Sequence, residues 1–256
     1  MLKTSRFSCI PLGSRLIMRK AMTDEDREAV MRLRFEVFNL ELNEGLQKSF
    51  LTGLDADEID PYCDHIMIVD ATRDLVVGTY RLLLGSRAEK GIGFYAEREF
   101  EISDLKRLKG EKLELGRACV HRDYRGSTVL SLMWAGIARY VERYHVNYLF
   151  GCGSIHTINP VIVSSIYSYL KNRNLAEDVC RITPLKAVPG FSADTPPDKG
   201  IFAKHMPSLL TAYLRLGARI QGEPAFDEEF GVSDFFVLLK RGNMLNRYGK
   251  RYLSPA

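Results

Sequence analysis

One α+β domain, mixed α/β in its alternation, is what this sequence predicts: a central twisted mixed sheet flanked by helices. Three observations carry that prediction. Strand-like apolar runs alternate with helix-period segments, too irregularly for a doubly wound sheet or a barrel. Leu113–Trp134, reading LELGRACVHRDYRGSTVLSLMW, passes from a strand through a basic, glycine-containing turn into a strongly apolar helix. The short buried run Tyr148–Gly153 follows, and the strand–helix–strand unit so formed is most economically parallel.

The elements follow in order. Residues 1–14 read as a loose lead-in to a domain spanning 15–240. Arg15–Ala21 alternates as a first strand. Thr23 opens T-D-E-D, an N-cap with acids in the first turn, ahead of a helix through about Phe38. The stretch 39–63 is polar, acidic and broken by Gly45, Gly53 and Pro61. His65–Asp70 and Leu75–Leu84 form an antiparallel hairpin around Thr72–Asp74. After an irregular Gly91–Phe100 and a short amphipathic Ile102–Leu108 come the central strand Lys112–His121 and the helix Ser127–Tyr144. Leu130, Trp134, Ile137 and Val141 give that helix one buried stripe. A helix over Pro160–Lys171 carries its proline near the first turn. Residues 183–207 hold five of the 10 prolines and read as a long loop or lid. Met206–Leu216 is a helix, Asp234–Leu239 a last strand, and 241–256 a basic tail.

Composition narrows the function classes. Of 256 residues, 46% are hydrophobic and 27% charged, which excludes wholesale disorder. A net charge of +4 permits an acidic partner or an anionic surface without requiring either. No Lys/Arg stripe interleaved with aromatics points to nucleic acid. The 5 cysteines are scattered and never paired as CxxC, which suits reduced thiols in a cytoplasmic setting. The amino terminus lacks the apolar core of a secretory signal, and no apolar run reaches the ~18 residues of a membrane span. The protein reads as soluble or at most peripheral.

Chemistry concentrates where the central strand meets its helix. Free N–H groups and the positive end of the helix dipole make that junction a site for phosphate. Glu114 and Arg117 lie just upstream, three apart, so a regular strand would aim them at opposite faces. Service to one site demands a bulge between them, and a bulged strand beside a parallel neighbour opens a slot for an extended thiol-bearing arm. Elsewhere Cys152 and His156 lack the third group of a Cys–His hydrolase. The histidines show no metal spacing, and no metal is expected.

Four features together resemble the GNAT acyltransferase superfamily. They are Arg34-x-x-x-Phe38, the acidic loop Asp55-Ala-Asp57-Glu-Ile-Asp60, Gly78-Thr-Tyr-Arg81-Leu-Leu, and Glu114-Leu-Gly-Arg117, in that order. The set is similar to the acyl-carrier-protein-dependent branch, which includes ornithine-lipid N-acyltransferases and the distantly related acyl-homoserine-lactone synthases. The longer C-terminal part, with LxxAYLRLGARI and DFFVLL, resembles the former more. The superfamily's pyrophosphate loop is altered here: aligned on Gly126, the chain reads Asp123-Tyr-Arg-Gly-Ser-Thr128, without the leading Gln/Arg or the final small residue.

The resemblance implies a GNAT-like fold with splayed parallel strands. It implies transfer of a long acyl chain, plain or 3-hydroxylated, from the phosphopantetheine thioester of an acidic acyl carrier protein to the α-amine of ornithine, with no bound cofactor and acyl-CoA a poorer donor. Glu114 would be the base and Arg117 its partner, with Arg34, Phe38, Asp57, Asp60 and Arg81 framing the acceptor. Arg122, Arg125, Gly126 and Ser127 would hold the phosphopantetheine. Gly151, Cys152, Gly153 and Trp134 would line the acyl channel, and Tyr124, Tyr140 or Tyr144 would protonate the leaving thiolate. The basic tail suits docking to the carrier or to anionic lipid at the inner membrane face. Glycine or another amino acid as acceptor, a lactone signal as product, and a non-enzymatic lipid- or carrier-binding module are the competing readings.

Overall fold

The computed structural model describes residues 15–174 and 180–244, so the expected lead-in and residues 245–256 of the tail lie outside the described residues. In chain order the elements are β1 (Leu16–Lys20), α1 (Asp24–Arg34), β2 (Asp64–Asp70), β3 (Leu75–Leu84), α2 (Gly85–Ala88), β4 (Phe100–Glu101), α3 (Ser103–Arg107), β5 (Glu111–Val120), α4 (Ser127–Arg143), β6 (Val146–Ile155), α5 (Pro160–Asn174), β7 (Thr183–Pro184), α6 (Lys199–His205), α7 (Ser208–Leu216), β8 (Arg219–Asp227) and β9 (Val232–Lys240). The chain forms two compact units: residues through Ile92 with Leu115–His145, and Gly93–Glu114 with residues from Val146 on. β5 contributes its first residues to the second unit and the rest to the first.

In the first unit the strand order is β1-β2-β3-β5. The hairpin β2–β3 is antiparallel, from Asp64↔Leu82 to Asp70↔Leu75, and β1 adds on from Leu16↔Asp70 to Lys20↔Ile66. Alternation along β2 sends Met67 and Val69 to one face, where Val30 and Leu33 of α1 pack with Val76 and Cys119. Helix α4 covers the opposite face closely. A Cβ on Gly78 would stand 2.7 Å from Val129, and one on Gly136 would stand 3.0 Å from Ile66 and Met18. Glycine at those positions is what lets helix and sheet approach.

The start of α1 is written in its sequence. Thr23 Oγ1 accepts the Asp26 N–H at 3.1 Å, and the Asp26 carboxylate answers the Thr23 N–H at 3.4 Å. The end is not. Helical geometry changes at Phe35 to a π-helical turn over Phe35–Glu41, closed by Leu42 N–H donating to Val37 O at 3.0 Å.

In the second unit the order is β5-β6-β9-β8. β5 runs parallel to β6 from Glu111↔Val146 to Glu114↔Phe150. β9 lies antiparallel to both β6 and β8. The sheet is therefore mixed, with antiparallel pairs dominant. Leu210 of α7 packs on one face, where a Cβ on Gly153 would stand 2.9 Å from it. β8 is hidden in the sequence because Gly222 and Pro224 interrupt RIQGEPAFD. They occupy a register shift between Gln221 and Ala225, where Gly222 takes φ 67° and its Cα lies against Ile182 O.

The segment expected as a loop or lid, 183–207, is fastened down. β7 pairs with β4, Leu185 N–H donates to Glu99 O, and Phe226 N–H to Lys186 O. Ser164 and Ser165 of α5 accept the N–H groups of Ser192 and Asp198 at 2.9 and 2.8 Å, and Tyr169 stacks on Phe202 of α6 at 4.1 Å. Prolines break regular structure here without freeing the chain.

Candidate active site

Arg34 ends α1 with its side chain fully buried. Nε donates to Asp55 Oδ1 at 2.8 Å, and Nη1 and Nη2 donate to the two oxygens of Asp60 at 2.7 and 3.1 Å, a bidentate fork. Arg81 on β3 donates through Nη1 to Asp57 Oδ2 at 2.6 Å and to Asp60 Oδ1 at 3.3 Å. Arg117 brings Nε within 3.7 Å of Asp55 and its guanidinium 5.5 Å from the Phe38 ring centroid. The acidic loop also closes on itself, since Asp57 Oδ1 accepts the Ile59 and Asp60 N–H groups. Burial alone would raise the Asp60 carboxyl, but Arg34 and Arg81 outweigh it and hold the group well below the usual carboxylate range.

This network brings together five of the residues expected around the acceptor, Arg34, Phe38, Asp57, Asp60 and Arg81, with Arg117, and it turns their charges on one another. Arg34 has no exposed surface, and its guanidinium holds the acidic loop to α1. His65 lies beside Asp60, Nε2 to Oδ1 3.8 Å, and burial pushes its imidazole down to about 4. It is neutral at ordinary pH.

Arg117 takes φ 47°, a left-handed residue inside β5 that breaks the two-residue alternation. The basic turn follows as a 3-10 turn over Arg122–Tyr124, after which α4 begins at Ser127. Arg125 Nη1 reaches Glu41 Oε1 at 2.6 Å and Arg122 Nε lies 3.8 Å from Oε2. Arg125 first, with Arg122, holds the Glu41 carboxyl below its ordinary value. Gly126 is extended at φ 169° with open space about its Cα, room for a ligand to approach the backbone. The Ser127 side chain lies outside the described residues.

Glu114 belongs to the second unit. It is 6% exposed, and its oxygens accept the N–H groups of Tyr95 at 2.8 Å and Ala96 at 2.7 Å, at the start of a 3-10 turn over Tyr95–Arg98. Pairing places Glu114 on the same face as Phe150, and therefore as Cys152 and Ser154 of β6. On that face Phe150 stacks with Phe236 at 5.5 Å and meets the Phe94 edge at 5.0 Å. Burial first, then Asp234, Glu114, Glu99 and Asp227, push the Cys152 thiol well above its ordinary value. A shift in that direction disfavours the thiolate.

Gly153 points to the opposite face, against Leu210, so its missing side chain serves packing with α7. Trp134 is in the first unit, edge-on to Tyr80 at 6.4 Å in the core. Of the tyrosines, Tyr124 donates to Asp70 at 2.6 Å and Tyr140 to Asp64 at 2.8 Å, while Tyr144 lies against Tyr140 at 4.4 Å. Burial first, then Asp64, push the Tyr140 hydroxyl far above its ordinary value, which removes it as a ready proton donor. Among the described residues no group of three His, Cys, Asp or Glu could hold a metal ion.

Sequence reasoning did not single out Tyr95, Glu99, Asp227 or Asp234. Asp234 had a legible signal: an acid opening the apolar run DFFVLL must be buried with it.

Comparison with known proteins adds to this geometry. The acetyltransferase (GNAT) domain family matches residues 33–135. An L-ornithine N(alpha)-acyltransferase of Brucella abortus (strain 2308) is 35% identical over 262 residues, covering 95% of this chain and 89% of that protein. Among solved structures, FeeM, an N-acyl amino acid synthase from uncultured soil microbes, superposes with TM-score 0.54 at 12% identity, covering 91% of this chain and 94% of that one. The acyl-homoserine-lactone synthase LasI superposes with TM-score 0.53 at 14% identity, covering 93% and 96%. These two structures share the fold.

Proposed function

This chain belongs to the L-ornithine N(alpha)-acyltransferase family and is an acyltransferase; from that premise we propose that it moves a long acyl chain, 3-hydroxyacyl chains included, from acyl carrier protein to the α-amine of ornithine, giving a lyso-ornithine lipid. The end-to-end likeness to the Brucella relative is the observation that carries this reading.

The residues suit the chemistry. An α-ammonium of pKa about 8 must lose a proton before it attacks a thioester, so a fixed carboxylate is useful. An ionised carboxylate offers about four lone-pair sites. In Glu114 the Tyr95 and Ala96 N–H groups take two of these and pin the side chain. Attack on the thioester carbon yields a tetrahedral oxyanion, and its collapse expels the pantetheine thiolate. No covalent enzyme intermediate is needed. Arg117 acts as a positioning residue, tying the acidic loop at Asp55 to Phe38.

The carrier protein is favoured over coenzyme A because the turn Asp123–Thr128 lacks the residue pattern of a pyrophosphate loop. A single phosphate can be met by N–H groups at the start of α4 beside Arg122 or Arg125. A cytoplasmic enzyme that docks its acidic carrier by charge, at or near the inner membrane face, fits this reading. No helix among the described residues is long and apolar enough to cross a membrane.

The test is incubation with acylated carrier protein and a panel of amino acids, with products read by mass. N-acylornithine is the expected product. Equal rates with acyl-CoA overturn the donor assignment, and a lactone product overturns the acceptor. Glu114→Gln should lower kcat by about 10²–10⁴ with the fold retained.

A further inference from the structure

The face of the second unit that carries Glu114 also carries carboxylates for which the mechanism has no use. Asp234 pairs in register with Ser154 of β6 and with Ala225 of β8, so it shares the face of Cys152 and Ser154, and Asp227 shares it two residues beyond Ala225. Asp234 is 1% exposed and Asp227 2%. Tyr95 links this group to the candidate base: its N–H binds Glu114 while its hydroxyl lies 3.1 Å from Asp227 Oδ2.

Two observations single out a missing partner. Asp227 accepts the Phe230 N–H and the Tyr95 hydroxyl, and Asp234 accepts from Ser154 and Cys152, yet Asp234 Oδ1 is buried without a hydrogen bond. In addition, among the described residues no Lys or Arg forms an ion pair with Asp227 or Asp234. Buried carboxylates ordinarily acquire a cation or hydrogen-bond donors, because an unpaired buried charge costs several kcal/mol. Here burial first, with Asp227 adding and Ser154, Cys152 and His156 opposing, pushes the Asp234 carboxyl up to about 7. Burial first, then Asp227, Asp234 and Glu229, against Arg98, do the same for the half-buried Glu99, also to about 7. An ammonium is the cation that the proposed acceptor would itself bring to this charge.

We propose that Asp234, with Asp227 and Glu99, forms a subsite for the side-chain ammonium of the acceptor amino acid. This rests on ornithine as acceptor and adds the selecting residues. The α-amine meets Glu114, the chain of the amino acid lies along the face past Cys152, and the δ-ammonium donates to Asp234 Oδ1. The subsite would make a second ammonium a requirement, so that an amino acid of the same length without it is turned away.

The experiment compares L-ornithine with L-norvaline, which has the same carbon chain but no δ-ammonium, using one acylated carrier protein. Wild type should favour ornithine in kcat/KM by at least about tenfold. Asp234→Asn should raise KM for ornithine by about tenfold or more and leave norvaline unchanged, collapsing the preference. Glu99→Gln, at a half-buried position, should do the same to a smaller extent and guards against misfolding of the first variant. An unchanged ornithine-to-norvaline ratio in the folded variants overturns the subsite. So does a variant that alters discrimination between 3-hydroxyacyl and plain acyl donors instead. A wild type that acylates ornithine and norvaline equally overturns the subsite alone, whereas one that acylates neither overturns the acceptor reading and the subsite with it.

Discussion

The two units bury acidic side chains to the same depth and resolve the cost in opposite ways. In the first, Asp55, Asp57 and Asp60 each face a guanidinium of Arg34, Arg81 or Arg117, and the network is closed by the chain itself. In the second, no arginine or lysine among the described residues forms an ion pair with Asp227 or Asp234, which take hydrogen bonds instead. Asp60 is driven down and Asp234 up, although both are almost wholly buried. Burial therefore does not by itself tell structure from function. Each cluster keeps one buried carboxylate oxygen without a hydrogen bond, Asp55 Oδ2 and Asp234 Oδ1; what separates them is the guanidinium groups of the first.

The largest expected effect breaks the closed network. Arg34→Met leaves Asp55 and Asp60 buried without their main partner and should cost about 3–5 kcal/mol in urea denaturation, enough to threaten folding. Asp234→Asn should do the reverse. Its carboxyl, at about 7 in the folded state against 3.8 unfolded, binds protons more tightly when folded. The stability it contributes is full below about pH 4 and is lost as pH rises through 7. The variant should flatten that decline and gain about 1–3 kcal/mol over wild type at pH 8, read from urea midpoints across pH 5–8. Destabilisation at pH 8 comparable to that of Arg34→Met would erase the contrast between the units.

His65 sharpens it. Its imidazole, at about 4 folded against 6.5 unfolded, binds protons more weakly when folded, so its contribution is present above 6.5 and is lost as pH falls toward 4. His65→Gln should shift the acid limb of the stability profile to lower pH, by a smaller amount than the first two changes. The smallest effect belongs to the half-exposed Arg125 with Glu41. Arg125→Ala should change stability by less than about 1 kcal/mol, while slowing turnover with the carrier-protein donor if the turn holds its phosphate.

Local patterning was sufficient for much of the fold. The Thr23 cap, the hairpin around Asp74 and the strand–turn–helix from Glu111 to Arg143 rest on interactions between residues near in sequence, so spacing and residue type declare them. The sequence also brought Arg34, Asp57, Asp60, Arg81 and Glu114 forward as a set. It was silent on β8, because a glycine and a proline at a register shift read as a break, and on the anchoring of 183–207, whose partners lie on α5 and β8.

What the sequence by itself determined is which segments become helix or strand and which residues carry charge into the interior. Tertiary structure alone decided what each charge meets. Whether a buried aspartate finds an arginine depends on which elements, far away in the chain, pack beside it. Asp60 and Asp234 look alike in sequence and differ because Arg34 of α1 and Arg81 of β3 reach one, whereas carboxylates, a thiol, a hydroxyl and His156 lie near the other.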